Sequence, residues 1–288
     1  MESRNNSTRL SVPEPSDPDA AQTDISTQQE PAQQDTNKNS LLNFIRPTEF
    51  VELPTEGRFY PEGHPLHGQH SVEINMMTAK EEDILTNRSL IKKGVALDRM
   101  VRSLLIDKRI NVKDLFLGDK NAIIVTARIS AYGPEYKASI TCPSCNTAET
   151  YEIDLEEVLA DSEGFQMPSG VEMNHRNNFI IELPKTGISA EVRLLNGHDS
   201  IEDTKKNKSM GLIDMFKKFV VSLNEITDRK QVDEFLELMP ASDSKILRQK
   251  YGELVPNIDM DLSFECNTCD HEQTMEVPLS ADFFWPGS

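Results

Sequence analysis

Four cysteines are all the thiols in this 288-residue chain, and they form two Cys-x-x-Cys pairs, Cys142-Pro143-Ser144-Cys145 and Cys266-Asn267-Thr268-Cys269. The flanks of the two pairs match. Upstream of the first, apolar residues alternate at Tyr136, Ala138 and Ile140; upstream of the second, at Ile258, Met260, Leu262 and Phe264. Downstream, Tyr151, Ile153 and Leu155 follow Cys145 at the offsets at which Met275, Val277 and Leu279 follow Cys269. Alternation marks a half-buried strand, so each pair reads as a turn between two strands. Two such turns face to face present four thiolates at the corners of a tetrahedron, the arrangement of a structural zinc site. The reading is a four-cysteine zinc ribbon with Cys142, Cys145, Cys266 and Cys269 as ligands to Zn2+, split by a long insertion. With every position filled by sulfur, the metal is a staple and has no open site for catalysis.

Other chemistries compete for these residues. A Cys-x-x-Cys can be a redox pair, which wants its first cysteine at a helix N-terminus; the residues after Cys145 alternate as a strand does. Disulfides are a second alternative, with three connectivities for four cysteines. The N-terminus Met-Glu-Ser-Arg-Asn-Asn lacks the apolar core of a secretory signal, so a reducing cytosol is expected, where paired Cys-x-x-Cys turns bind metal. His271, two residues past Cys269, is a substitute ligand in principle, though it reads better as a turn histidine. His64, His67 and His70 recur every third residue, but in a loop rather than on one helix face, and read as loop histidines.

The elements that must position the cysteines follow from periodicity. Residues 1–40 are polar and Pro-rich and read as a disordered acidic tail. Residues 41–135 form an N-terminal strand, turn and helical region. Phe50 to Pro65 is dense in Pro and Gly and reads as strand entry and rigid turns. Val72–Met76 alternates as a strand, and Thr78-Ala-Lys-Glu81 is a capping box opening a helix to about Asn87. A single helix is expected over Ile91–Leu105. Gly118-Asp119 reads as a stop, and Ala122–Ile129 is helix or strand, with helix preferred and Tyr132-Gly-Pro134 ending it. The split ribbon takes 136–160, with a helical turn at Leu155–Leu159, and 257–288. Between them, 161–256 is an inserted β-hairpin plus helical subdomain: strands Phe179–Leu183 and Ile188–Leu195, then helices at Ser200–Lys208, Leu212–Leu223, Arg229–Met239 and from Ser242 to Tyr251. The C-terminal Asp282-Phe-Phe-Trp285 either seals the core or anchors a partner. The fold class is therefore α+β: helical regions, a split four-cysteine zinc ribbon, a small β-hairpin and a disordered tail.

Composition excludes several functions. The net charge of −18 repels phosphate backbones, so general nucleic-acid binding is disfavoured. The outward positions on the ribbon strands, Glu152, Asp154, Asp259, Asp261, Glu265 and Glu276, are all acidic. That opposes the alternative of a nucleic-acid-binding or transcription-related zinc ribbon. Lys205, Lys206, Lys208, Lys217 and Lys218 form a basic cluster that reads as a solvated helix face, with docking of an acidic partner as the alternative. No apolar run is long enough for a membrane span. There is no phosphate loop, nucleophile elbow or metalloprotease motif, so no enzyme is read here.

The ordered chain resembles the T4-type bacteriophage baseplate proteins, which include the baseplate hub assembly component of contractile tails. The resemblance is carried by Leu53-Pro-Thr-Glu-Gly-Arg-Phe-Tyr-Pro-Glu-Gly-His-Pro65, Met77-Thr-Ala-Lys-Glu-Glu-Asp-Ile-Leu85, Gly118-Asp-Lys-Asn-Ala122 and Ala131-Tyr-Gly-Pro-Glu-Tyr136. Both cysteine turns and Leu194-Leu-Asn-Gly-His-Asp199 complete it. It runs in order from about residue 44 to the C-terminus. What it implies is a non-enzymatic phage morphogenesis protein, a hub component or hub assembly factor whose partners are other baseplate and hub proteins. It would work in the host cytoplasm during assembly, or in the tail baseplate of the virion. No catalytic residues come with the resemblance.

Overall fold

The computed structural model describes residues 47–160, 165–199, 211–258, 260–277 and 279–285, with backbone alone at 262 and 276. They fall in one unit, Arg46–Ser288. None of the described helices is long and apolar enough to cross a membrane. The tail 1–40, the helix expected over 200–208, and Lys205, Lys206 and Lys208 lie outside the described residues.

Strand β1 (Thr48–Glu52) pairs antiparallel with β2 (Ser71–Asn75), Val51 opposite Val72. The Pro/Gly-rich stretch between them folds back on itself through bonds such as Gly68 N–H to Gly57 O at 3.0 Å. Gly57 has φ +69°, and a Cβ there would lie 2.4 Å from the Leu66 carbonyl, so the turn requires glycine. Helix α1 (Ala79–Thr86) opens with the expected capping box, the Thr78 N–H donating to the Glu81 carboxylate at 3.0 Å. Glu81 also accepts the Ser103 hydroxyl at 2.6 Å.

The helix expected over Ile91–Leu105 is two helices, α2 (Arg88–Lys92) and α3 (Ala96–Leu104). Gly94 between them takes φ +65°, a left-handed turn that ends α2. Only α3 presents a buried face, with Met100, Val101 and Leu104. Helix α4 (Leu117–Tyr132) resolves the ambiguous segment and corrects the expected stop, because Gly118 and Asp119 lie in its first turn. Every residue from Ala122 to Arg128 is buried, so no single apolar face exists for periodicity to reveal.

The glycine at 118 is there for proximity. A Cβ would stand 1.9 Å from the Pro256 carbonyl oxygen, where the chain enters the second cysteine hairpin. Gly→Ala inside a helix ordinarily stabilises by about 1 kcal/mol. Here Gly118→Ala is expected to destabilise by about 1–3 kcal/mol or more through overpacking, read as a lower urea midpoint.

The Arg128 guanidinium donates to the carbonyls of Gly133 at 2.9 Å and Glu135 at 3.3 Å, handing the chain from α4 to the first hairpin. That hairpin is β3 (Glu135–Thr141) with β4 (Ala148–Asp154), followed by α5 (Leu155–Ala160). The insertion contains β5 (Val171–Met173), β6 (Phe179–Leu183), β7 (Ile188–Val192), α6 (Leu212–Phe219), β8 (Val220–Leu223), α7 (Arg229–Leu238) and α8 (Ala241–Leu254). The expected hairpin is thus the centre of a four-stranded antiparallel sheet in the order β5-β6-β7-β8. β7 ends at Val192 rather than Leu195. The helix expected to Leu223 ends at Phe219, and Val220 starts β8, with Leu223 opposite Ala190. The second hairpin is β9 (Asp261–Glu265) with β10 (Glu272–Glu276).

Two main cores result. One gathers β1, β2, α3 and α4 with the roots of both hairpins (Tyr136, Leu155, Met260, Val277) and Phe283 and Phe284. Both phenylalanines are 1% exposed and Trp285 packs on the same core, so the C-terminal aromatics seal it. The other lies between the four-stranded sheet and its helices, with Phe216, Phe219, Leu236, Leu247 and Leu254 against Phe179, Ile181 and Val192.

Three carboxylates hold the insertion together. Asp243 accepts the N–H groups of Lys185 (2.8 Å) and Thr186 (3.0 Å) and the Thr186 hydroxyl (2.8 Å). Glu191 accepts from Asn174 (2.7 Å), Asn178 (2.9 Å) and Ser222 (2.6 Å). Asp199 receives the Arg193 fork at 3.0 and 2.6 Å. Burial alone would raise each pKa, but the hydrogen bonds outweigh it and hold all three below the usual carboxylate range. The unfolded chain therefore binds these protons more tightly than the folded one. The stability they confer is full above the unfolded carboxylate range and is lost as pH falls through the folded values. The urea midpoint is expected to fall below about pH 4, and less steeply in Asp243→Asn.

Candidate metal centre

The two cysteine turns share one construction. In the first, Cys142 N–H donates to the Thr147 carbonyl and Asn146 N–H to the Cys142 carbonyl, both at 2.9 Å; in the second, Cys266 pairs with His271 at 3.0 Å and Asp270 with Cys266 at 2.9 Å. The residue after the second cysteine is left-handed in each, Asn146 at φ +57° and Asp270 at φ +53°. Asn and Asp are the side chains that best tolerate that conformation. Cys142 follows strand β3 and the residues after Cys145 enter strand β4, so the first cysteine does not sit at a helix N-terminus as a thioredoxin-like pair requires.

The turns meet so that all four sulfurs lie within 4.8 Å of one another. Cys142 Sγ is 3.7 Å from Cys269 Sγ, and Cys145 Sγ is 3.5 Å from Cys266 Sγ. Tetrahedral zinc with bonds of about 2.3 Å sets its sulfurs about 3.8 Å apart, whereas a disulfide needs about 2.05 Å. All four are free thiols placed at ligand spacing, and the group could hold a metal ion. It does not include His271, whose backbone carbonyl takes the Cys266 N–H. Nor does it include the loop histidines: His64 stacks on Tyr60 at 4.5 Å, and His67 Nδ1 lies 2.6 Å from the Tyr60 carbonyl.

Cys142 and Cys266 are fully buried, Cys145 is half-buried and Cys269 is exposed. Beneath them Ile140 and Phe264 pack with Ala138, Tyr151 and Met275, the Tyr151 and Phe264 rings 5.1 Å apart. The Glu149 carboxylate accepts the Asn267 N–H at 3.1 Å and its side-chain amide at 2.8 Å, and the Tyr151 hydroxyl donates to the Glu265 carbonyl. These bonds lash the hairpins together, and nothing local in the sequence singles out Glu149 or Tyr151 for it. The Thr147 hydroxyl and backbone hold the Cys145 thiol down to about 6, while burial pushes Cys266 up to about 12 and raises Cys269. A bound cation would draw the whole set to thiolate.

A second buried cluster lies in the first turn of α4. The Asp119 carboxylate accepts the Thr55 N–H at 3.0 Å, the Thr55 hydroxyl at 2.6 Å and the Tyr60 hydroxyl at 2.7 Å; the Tyr60 oxygen in turn accepts the Phe116 N–H at 3.3 Å. Burial raises Asp119 and the three hydrogen bonds partly offset that; burial and the neighbouring Asp119 carboxylate both raise Tyr60. The cluster ties the turn-rich loop to the central helix. Asn196-Gly-His-Asp199 docks beside it, with Gly197 N–H on the Leu115 carbonyl at 3.1 Å and Leu117 N–H on the Leu195 carbonyl at 3.3 Å.

On the ribbon surface Glu152, Asp154, Asp261 and Glu265 are exposed; Asp259 and the Glu276 side chain lie outside the described residues. Lys217 pairs with Glu237 at 2.7 Å, and Lys218 donates to the Asp199 carbonyl at 3.1 Å.

The family model described as T4 bacteriophage base plate protein matches residues 48–285. No curated protein and no solved structure matches the chain. The matched span takes in both cysteine turns, the Thr55–Tyr60–Asp119 cluster and the insertion with its four-stranded sheet. The chain therefore belongs to the T4 bacteriophage base plate protein family, a structural phage family, and its role lies in the structure or assembly of a phage baseplate.

Proposed function

We propose that this chain is a non-enzymatic baseplate hub component or hub assembly factor that acts by protein–protein interaction. The observation that carries the reading is the family match, which spans nearly the whole described region. The sequence strings that resemble the family support it, because they supply packing and positioning: Gly57 and Gly118 allow close approach, and Asp119 and Thr55 join two segments. In this reading Cys142, Cys145, Cys266 and Cys269 hold a structural Zn2+, whose sole contribution is cross-linking. The ribbon, 136–160 with 257–288, pins both ends of the insertion 161–256 to the region 41–135 and makes one rigid surface for other hub proteins. The exposed acidic strand residues favour such partners over nucleic acid.

The test is mass spectrometry of purified tails beside a lysate of the same infection. Stoichiometric amounts in tails would make the chain a hub component, working in the virion baseplate. Presence in the lysate with absence from tails would make it an assembly factor, working in the host cytoplasm. Salt-sensitive co-purification with nucleic acid, apart from tail proteins, would overturn the reading.

A further inference from the structure

We propose that the four-cysteine cluster is a site of oxidative cross-linking, in which peroxide joins the two hairpins through Cys142–Cys269 and Cys145–Cys266 disulfides. All four sulfurs lie within 4.8 Å of one another, and the contacts at 3.7 and 3.5 Å both run from one hairpin to the other. Each also joins a more exposed cysteine to a buried one: exposed Cys269 faces buried Cys142, and half-buried Cys145 faces buried Cys266. That is the division of labour disulfide formation needs, since one sulfur must meet the oxidant and a protected neighbour must resolve the product. The lashing of Glu149 to Asn267 and of Tyr151 to Glu265 holds the hairpins in register while the sulfurs move together.

The chemistry balances with a peroxide as oxidant. The reachable thiolate attacks one peroxide oxygen; an S–O bond forms, the O–O bond breaks and hydroxide leaves. The shielded thiolate then attacks that sulfur; the S–S bond forms, the S–O bond breaks and a second hydroxide leaves, each hydroxide becoming water. Two sulfurs lose two electrons to one peroxide, so two peroxides close both bridges. Any zinc bound to the four sulfurs leaves as the hydrated ion. The proposal rests on the proximity of the cysteines and not on the identity of the metal.

The full-length chain as isolated is treated with hydrogen peroxide, alkylated and digested without reduction, and its disulfide-linked peptides are quantified. Cross-hairpin pairs are expected to exceed within-turn pairs by at least about tenfold, because folding fixes the facing sulfurs as neighbours. The same chain oxidised in urea should favour Cys142–Cys145 and Cys266–Cys269, the shorter loops. Within-turn pairs in the native sample, a ratio unchanged by urea, or sulfinic acid without bridges would overturn the proposal. Zinc content measured beforehand separates the two ideas. Cross-hairpin bridges in a chain isolated without zinc would refute the zinc assignment alone, and within-turn bridges in a zinc-loaded chain would refute this one alone.

Discussion

Cys142→Ser is expected to strip the chain of zinc and unfold both hairpins. The wild-type protein should carry one zinc per chain, measured by elemental analysis. The serine variant should carry less than about a tenth of that, since a hydroxyl stays protonated where a thiolate binds. Structural zinc contributes about 10–16 kcal/mol in small peptides, as large as the whole stability of an ordinary domain. The apolar cluster under the cysteines is small, built on Ile140 and Phe264, and cannot replace that contribution. Loss should be local first. Amides of β3, β4, β9 and β10 should lose hydrogen-exchange protection while those of α4, in the larger core on which the hairpins are rooted, keep theirs. A zinc-free wild-type chain with protected hairpins would sink the metal assignment.

The second large effect concerns a residue with no part in the four-cysteine cluster. Asp119→Ala removes the acceptor for the Thr55 N–H and for the Thr55 and Tyr60 hydroxyls in a fully buried site. Stranding several buried donors should cost about 3–5 kcal/mol. Tyr60→Phe, which removes one donor and leaves the carboxylate two, should cost about 1–2 kcal/mol. The two changes should be strongly non-additive in a double-mutant cycle, because they share a hydrogen bond. Additive losses would mean that Asp119 and Tyr60 act separately.

These two sites differ in how visible they are in the chain. The cysteine turns are legible because each is a local object, a spacing plus flanking alternation, and the repeat of the pattern reports the pairing. Asp119 is not, because its partners Thr55 and Tyr60 lie 64 and 59 positions away, and it reads alone as a helix-stopping Gly-Asp. The same difference separates the elements. Helices α1, α7 and α8 announce themselves by a cap or periodicity. Strand β8 is four residues whose pairing partner β7 lies across α6, so Val220–Leu223 extends the helical pattern until the sheet is seen. β5, three residues long, exists only as the partner of β6. Local grammar carries no information about such strands, since neighbours rather than propensity make them.

The two halves of the four-cysteine cluster also have a birth order. Cys145 and Cys266 are 121 positions apart, so at about 5–20 residues per second a ribosome completes the second turn roughly 6–24 s after the first. During that interval the nascent chain exposes a pair of thiols with no opposite pair. The sheet and helices of the insertion have time to form before the hairpins can close. Any message truncated before codon 269 yields a chain without the fourth cysteine of the cluster, however well its earlier parts have folded. Assembly of the four-sulfur cluster is therefore a record that translation has passed Cys269.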